Sequence, residues 1–337
     1  MLRNKIMDEL KTIYVILLHW KNYHDTKKCI KRLTKLNYKN VHIIIVDNAS
    51  NDGTLEKLKK EFTNLIFLEN KENLGFSAGI NVGIKKALTL NACYILILNN
   101  DVIVDKGFLE PALDVFLTFK NVGAVTGKLL YKTPKNMIWH AGGYIDPWRV
   151  QGVGRGTLEI DVGKYDKVET TGWASGAMSL YPRSTFEKVG FYPEEHFFGQ
   201  EEWDFSTAIL KKSLKIIYVP NFSGVHDCGG SYKGGHPILN IYGGYLSKMI
   251  YAEKYMSKLQ FKIWKFIFYI YLLTKWKKLA WEGCKTIKDY EVKYNAGLLA
   301  YKHHKSVKKV TLSQLKLAAS ELGPSPTWGN EWNSKEK

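Results

Sequence analysis

The chain has 337 residues, of which 45% are hydrophobic and 24% charged, an ordinary globular composition. That excludes a wholly disordered chain, a collagen-like repeat and a disulfide-rich miniprotein. Lys and Arg number 49 against 32 Asp and Glu, leaving +17, so a polyanionic partner is favoured: a phosphorylated substrate, an anionic membrane surface or nucleic acid.

Residues 13–18 form an apolar run followed by His19, Trp20 and Lys21 with no small-residue cleavage site, which argues against a signal peptide. The first 130 residues then alternate regularly. Short β-branched runs at 12–18, 41–46, 65–68 and 94–98 read as buried strands, and 25–36, 54–62 and 77–90 read as helices between them. Strand–helix alternation predicts a parallel sheet with right-handed crossovers. Polar residues gather just after the strands, where open α/β sheets bind their ligands.

From 142 to 171 the chain is glycine-rich and reads as an irregular, mobile surface loop. A strand-like stretch at 172–181, a helix at 201–212 and a strand at 215–219 follow. Beyond Pro237 the character changes, with fifteen lysines against four acids between Lys248 and Lys309. Its segment 259–278 interleaves aromatic and apolar residues with Lys262, Lys265, Lys275, Lys277 and Lys278, which suits the interface of an anionic leaflet. The longest apolar stretch, 266–273, is far shorter than the ~20 residues a membrane span needs. His303-His304 reads as part of a solvated basic stretch. Cys29, Cys93, Cys228 and Cys284 include no C-x-x-C pair, so free thiols of a reducing compartment are expected, with neither a zinc ribbon nor a disulfide framework.

Three polar segments carry the chemistry. Asp47-Asn48-Ala49-Ser50-Asn51-Asp52-Gly53-Thr54 follows a strand and opens a helix; Asp47 is placed to accept from a base N–H or a ribose hydroxyl, while Asp52-Gly53-Thr54 also fits plain turn and cap chemistry. Asn73-Leu74-Gly75-Phe76-Ser77-Ala78-Gly79 enters the next helix, and Gly75 and Gly79 permit close approach of a ligand or another helix. It is not G-x-G-x-x-G, and Gly123 to Lys128 likewise fails as a P-loop. Asn99-Asn100-Asp101 closes the most apolar strand, where a carboxylate can hold a divalent ion bridging two phosphates; the plainer reading is a capped turn.

VDNASNDGT, NLGFSAGINVG and LNNDV, in this order and spacing, resemble the nucleotide-sugar half of glycosyltransferase family 2, with its GT-A fold. FFGQEEWDF at 197–205 resembles that family's acidic E-D-x-D-type motif, and Val219-Pro220 followed by His226 resembles its P…H element. The likeness covers about 11 to 235 and is greatest to the rhamnosyltransferase-like branch that builds surface polysaccharides. It implies an α/β catalytic domain over 1–235, with a nucleotide-sugar half (about 11–130) and an acceptor half (about 131–235), and leaves 236–337 as a basic helical region.

The resemblance also implies roles. Asp47, Asn48, Asn73, Gly75, Gly79, Asn99 and Asn100 would surround the donor nucleotide. Asp101 and His226 would hold Mg²⁺ or Mn²⁺. Trp173, Ser175 and Gly176 would line the donor and acceptor cleft. Glu202 falls where the catalytic base sits, beside Glu201 and Asp204. Asn99 replaces the first acid of D-x-D, so the metal loses one charged ligand; Glu202 replaces an aspartate, which leaves Glu201 and Glu202 both open as the base.

The implied activity is inverting transfer from a UDP- or dTDP-linked sugar to a hydroxyl of a saccharide or lipid-linked acceptor, at the cytoplasmic face of the membrane, with no nucleic acid partner. A sugar-phosphate nucleotidyltransferase would need a glycine-rich loop after the first strand, and 17–23 contains no glycine. A non-enzymatic membrane- or nucleic-acid-binding module would leave Asp101 and the acidic cluster without a role.

Overall fold

A computed structural model describes residues 11–227, 238–281, 284 and 286–323. Cys228, His236 and Pro237 lie outside the described residues. The described chain forms two compact units. The first takes its residues from within Met1–Asp146, Gly152–Pro193 and Glu202–Lys233, and the second from Pro147–Gln151, Glu194–Glu201 and Gly234–Lys337.

The strands are β1 (Ile13–His19), β2 (Val41–Asp47), β3 (Ile66–Glu69), β4 (Tyr94–Leu98), β5 (Val102–Val104), β6 (Val122–Tyr131), β7 (Ile138–His140), β8 (Gly143–Asp146), β9 (Gln151–Gly154), β10 (Glu169–Thr171), β11 (Met178–Pro182) and β12 (Lys215–His226). Ten of them form one sheet along the order β10-β12-β6-β11-β4-β1-β2-β3, with β5 paired to β12 and β7 to β6. Residues alternate across β1: Ile13, Val15 and Leu17 face one core layer while Tyr14 and Ile16 face the other. Burial on both faces explains why these strands read as unbroken apolar runs.

Helices Tyr23–Leu33, Thr54–Glu61 and Gly75–Thr89 are the crossovers that join the parallel strands β1 to β2, β2 to β3 and β3 to β4, the last crossing back past β2 and β1. The last lies very close to the sheet, because a Cβ on Gly79 would fall 2.7 Å from Leu18 Cδ1. The close approach that Gly79 permits is therefore to the sheet, where a ligand or another helix was expected.

The parallel expectation holds for β1 to β4, but the whole sheet is mixed, since β11 runs antiparallel to both β4 and β6. β6 therefore points the same way as β4, and β12, parallel to β6, does too. The carboxyl ends of β1, β2, β4 and β12 and the segment just before β11 consequently share one edge of the sheet. The topology brings His19, Asp47, Asp101, Gly176 and His226 to that edge.

The stretch 142–171 corrects an expectation. It holds β8, β9 and β10, with β8 and β9 paired as a two-stranded sheet. β10 pairs antiparallel with β12, and charge pairs hold the segment leading to it. Lys128, 6% exposed on β6, lies 2.8 Å from Asp161 and also pairs with Asp166, and Arg155 pairs with Glu169. Lys128, part of the failed P-loop, is thus a buried strand residue. Its removal leaves the mostly buried Asp161 carboxylate without its cation, so Lys128→Ala should lower stability by about 3 kcal/mol, read as a lower urea midpoint at unchanged slope.

The second unit is helical, with Gly244–Tyr255, Lys258–Tyr271, Lys277–Trp281, Ile287–His303 and Leu312–Leu322, and π-helical turns at Ile238–Gly243 and Leu272–Trp276. Side-chain caps start three of its helices: Ser257 with Gln260, Thr286 with Asp289, and Thr311 with Gln314. Its interior is aromatic, with Trp264 stacked on Phe268 at 5.1 Å and Tyr245 edge-on to Trp276 at 5.4 Å. His303-His304 corrects a second expectation, that of a solvated pair. His304 is buried, its Nδ1 2.9 Å from Lys265 Nζ, and burial with that neighbouring cation pushes its pKa down to about 4. His303 meets Tyr242 Oη at 2.9 Å. Among the described residues, no helix is long and apolar enough to cross a membrane.

Candidate active site

At the nucleotide-sugar end, β1 and β2 finish together, His19 opposite Asp47 in register. Asp47 is buried and accepts the Ser50 N–H at 3.1 Å and the Ser50 hydroxyl. A carboxylate offers about four acceptor sites, so Asp47 retains capacity for further donors. His19, fully buried, sits 2.9 Å from the Thr26 hydroxyl and 3.0 Å from that of Thr54, and burial lowers its pKa. Asp52 accepts the Thr54 N–H at 3.1 Å, so Asp52-Gly53-Thr54 does form the helix entry.

Asn48 ties the two polar loops together. Its Nδ2 donates to Asn73 Oδ1 (2.8 Å) and to the Gly75 carbonyl (3.0 Å), while its Oδ1 accepts from Asn70 Nδ2 and the Leu74 N–H, both at 3.0 Å. Asn73 also accepts the Gly75 N–H at 2.9 Å. The side chains of Asn48 and Asn73 thus shape the loop 70–75, and Gly75, at φ +77°, opens the helix that follows.

Beyond β4, Asn99 donates its N–H to Ala177 O at 2.8 Å, and Asn100 Nδ2 donates to the Thr26 hydroxyl at 2.8 Å. Asp101 follows at once. Pairing of β5 with β12 sets His226 opposite Val102, which brings His226 Nε2 to 3.1 Å from Asp101 Oδ1. Both side chains are mostly buried, at 8% and 11% exposure, and Trp139 packs edge-on against the imidazole at 4.6 Å. One carboxylate oxygen and one imidazole nitrogen converging on one point fit a divalent cation. Among the described residues, no group of three or more His, Cys, Asp or Glu could hold a metal, so this pair would leave coordination positions to phosphate oxygens and water.

The acidic motif opens helix Glu201–Lys211. Glu202, half-buried, accepts the Gly176 N–H at 2.7 Å. Burial raises its pKa to about 7, against the opposing pull of that N–H and of the nearby His226. Glu201 and Asp204 are both buried, and Glu201 belongs to the second compact unit while Glu202 and Asp204 belong to the first. Ser206 locks the motif to the segment before β11: its hydroxyl donates to the Glu202 carbonyl at 2.6 Å and accepts the Ala174 N–H at 3.0 Å. Ser175 is buried, its N–H bonded to the Thr126 hydroxyl at 3.2 Å and its own hydroxyl accepting the Ala177 N–H at 3.1 Å.

Trp173, buried, packs edge-on against His140 (4.4 Å) and Trp203 (6.1 Å). Burial and the Arg155 cation hold His140 neutral, its pKa lowered to about 3. The two indole nitrogens face glycines: a Cβ on Gly143 would fall 2.8 Å from Trp173 Nε1, and one on Gly152 2.3 Å from Trp203 Nε1. Among the described residues, neither indole N–H has a hydrogen-bond partner. Sequence reasoning missed His19, His140 and Trp203 as parts of this region. Trp203 carried a signal, standing inside the acidic motif, whereas an isolated histidine such as His140 carries none.

The sheet, with its parallel half, its inserted antiparallel strand and its polar edge, has the GT-A fold, which solved structures share. A mannosyltransferase from Pyrobaculum calidifontis in complex with GDP-Man and Mn²⁺ superposes with a TM-score of 0.52 at 15% identity, covering 96% of this chain and 88% of that one. The profile of the family Glycosyl transferase family 2 matches residues 14–190, and the chain belongs to that family. An N-acetylglucosaminyl-diphospho-decaprenol L-rhamnosyltransferase of Mycobacterium tuberculosis is 23% identical over 210 residues, covering 55% of this chain and 66% of the relative. A poly-beta-1,6-N-acetyl-D-glucosamine synthase of Staphylococcus aureus is 26% identical over 220 residues, covering 64% and 49%. The chain thus spans slightly under two thirds of the first relative and about half of the second.

Proposed function

We propose that this chain is an inverting, metal-dependent glycosyltransferase that moves a sugar from a UDP- or dTDP-linked donor to a hydroxyl of a saccharide or lipid-linked acceptor in surface-polysaccharide synthesis. The observation that carries this reading is Glu202. It is a carboxylate with a pKa raised to about 7, held by the Gly176 N–H next to the segment that leads into β11. A base of that strength suits deprotonation of a hydroxyl near neutral pH.

In the proposed reaction, Glu202 takes the proton of the acceptor hydroxyl as that oxygen attacks the anomeric carbon. The bond from that carbon to the diphosphate oxygen breaks, and its electron pair leaves with the nucleoside diphosphate. No carboxylate nucleophile is needed for a single displacement with inversion. Asp101 and His226 would hold the cation, which when bound supplies positive charge to the departing diphosphate. Asp47 would accept from the base or ribose of the donor, and Asn48 and Asn73 would keep the loop beside it in shape. The indole N–H groups of Trp173 and Trp203 are donors suited to acceptor hydroxyls. Glu202 is preferred to Glu201 as the base because its carboxylate meets the Gly176 segment. The catalytic domain is taken as 1–235, and the site of action as the anionic cytoplasmic face of a membrane.

The test is nucleoside-diphosphate release from a panel of UDP-, dTDP- and GDP-sugars with Mn²⁺, Mg²⁺ or chelator. Release from a UDP- or dTDP-sugar that chelator abolishes is the expected result. Release indifferent to chelator would overturn metal dependence. Absence both of release and of any donor-induced thermal shift would overturn the transferase reading.

A further inference from the structure

Helix Lys258–Tyr271 carries two apolar faces. Trp264 and Phe268 point inward and are buried in the second unit. The opposite face carries Leu259, Ile263, Phe266 and Ile270, spaced by four, three and four residues, and the stripe continues to Leu273 in the π-helical turn that follows. These five are exposed, Leu259 by 69% and Phe266 by 64%, and Ile267 widens the stripe on one side. A helix on a water-facing surface ordinarily turns polar residues outward. A contiguous exposed apolar stripe rimmed by charged residues marks an interaction surface.

Charge decides the occupant. From Lys254 to Trp281 the sequence holds seven lysines and no acidic residue. On a helical projection Lys258 and Lys262 border the apolar stripe along one side, placed to reach phosphate headgroups while their stems lie on the apolar surface. Lys275, Lys277 and Lys278 follow at its end, together with Trp281, which is 55% exposed. Lys265 is turned away, against His304 and Tyr301. A protein partner or a second copy would have to answer this unbroken positive charge with acids, whereas an anionic leaflet supplies apolar depth and negative headgroups together.

We propose that the face formed by Leu259, Ile263, Phe266, Ile270 and Leu273 lies in the plane of an anionic lipid bilayer as an interfacial anchor, with Lys258, Lys262, Lys275, Lys277 and Lys278 on the headgroups. The proposal deepens the membrane-face reading given above and stands apart from the transfer chemistry.

The test uses the full chain with two vesicle compositions, phosphatidylcholine alone and phosphatidylcholine with 30% phosphatidylglycerol. Flotation with the anionic vesicles at 50 mM salt is expected, weaker at 500 mM. The double variant Phe266→Ser/Ile270→Ser should lose at least ten-fold in bound fraction with its melting temperature unchanged. Lys277→Gln/Lys278→Gln should bind less and lose part of the salt dependence, in keeping with two of five headgroup lysines removed. Donor turnover in detergent-free buffer is read alongside: its failure bears on the transferase reading, and failure of flotation on the anchor. A wild-type protein that stays with the soluble fraction overturns the anchor. A lipid-free dimer that Phe266→Ser/Ile270→Ser dissociates, without vesicle binding, assigns the face to a second copy and overturns it equally.

Discussion

Glu202→Gln should abolish transfer while leaving the donor bound. General-base catalysis contributes about 10²–10⁴-fold, and a loss of that size is expected in kcat with donor affinity changed by less than a few-fold. The amide keeps the shape of the side chain and an oxygen able to accept the Gly176 N–H, so the segment before β11 stays in place. The pH dependence is equally specific. The base works only when ionised, so the wild-type rate should climb about ten-fold per unit below pH 7 and level off above it, while the variant's residual rate stays flat.

Stability runs in the opposite direction with pH. The folded carboxyl, near 7, lies above its ordinary value of 4.5, so the native state holds a proton that the unfolded chain has released between those values. The associated stability is present below about pH 4.5 and is lost as pH rises to about 7. Glu202→Gln, which never ionises, should therefore gain about 3 kcal/mol over wild type at pH 8 relative to pH 4. Denaturant titrations of the metal-free protein at both values measure this. Full transfer activity in the variant would remove Glu202 from the mechanism.

Asp101→Ala should be the second large effect. Asn99 and Asn100 are neutral, so Asp101 is the one anionic ligand that the Asn99-Asn100-Asp101 turn can bring to a cation. Loss of the carboxylate leaves His226 alone, and a lone imidazole does not hold Mg²⁺ or Mn²⁺ in competition with water. Nucleoside-diphosphate release should fall by about 10²–10³-fold, the range seen when one group stabilising developing charge is removed. Titration calorimetry with Mn²⁺ in the presence of nucleoside diphosphate should show only the heat of the Mn²⁺–nucleotide complex formed without protein. His226→Ala, which keeps the anionic ligand, should lose only about ten-fold. A variant Asp101→Ala that still requires Mn²⁺ at wild-type concentrations would place the metal elsewhere.

Much of the first unit was legible because its signals are local. The runs at 13–18, 41–46 and 94–98 are buried on both faces, so they read as continuous apolar segments, and the structure begins and ends them within a residue or so. The stretch 142–171 was not legible in the same way. Its glycines suit a loop, and what makes its last residues a strand is antiparallel pairing of β10 with β12, far off in the chain, while Asp161 and Asp166 are held by the distant Lys128. His303-His304 misled for a related reason. A His pair beside lysines looks solvated until the helices that bury His304 are in place. The second apolar face of helix Lys258–Tyr271 was hidden because hydrophobic spacing does not say which face a neighbour covers.

The sequence by itself determined the crossover elements, the polar loops that follow the strands, and the family to which their order belongs. Each of these depends on side-chain period or turn chemistry within a dozen residues. Only the tertiary structure decided that Asp101 meets His226, that Asn48 is committed to the loop 70–75, and that Glu202 is the acid held by Gly176. Those meetings depend on β5 pairing with β12 and on β11 entering between β4 and β6. Strand pairing across such distances is settled by the packing of the whole sheet, and no local pattern of residues encodes it.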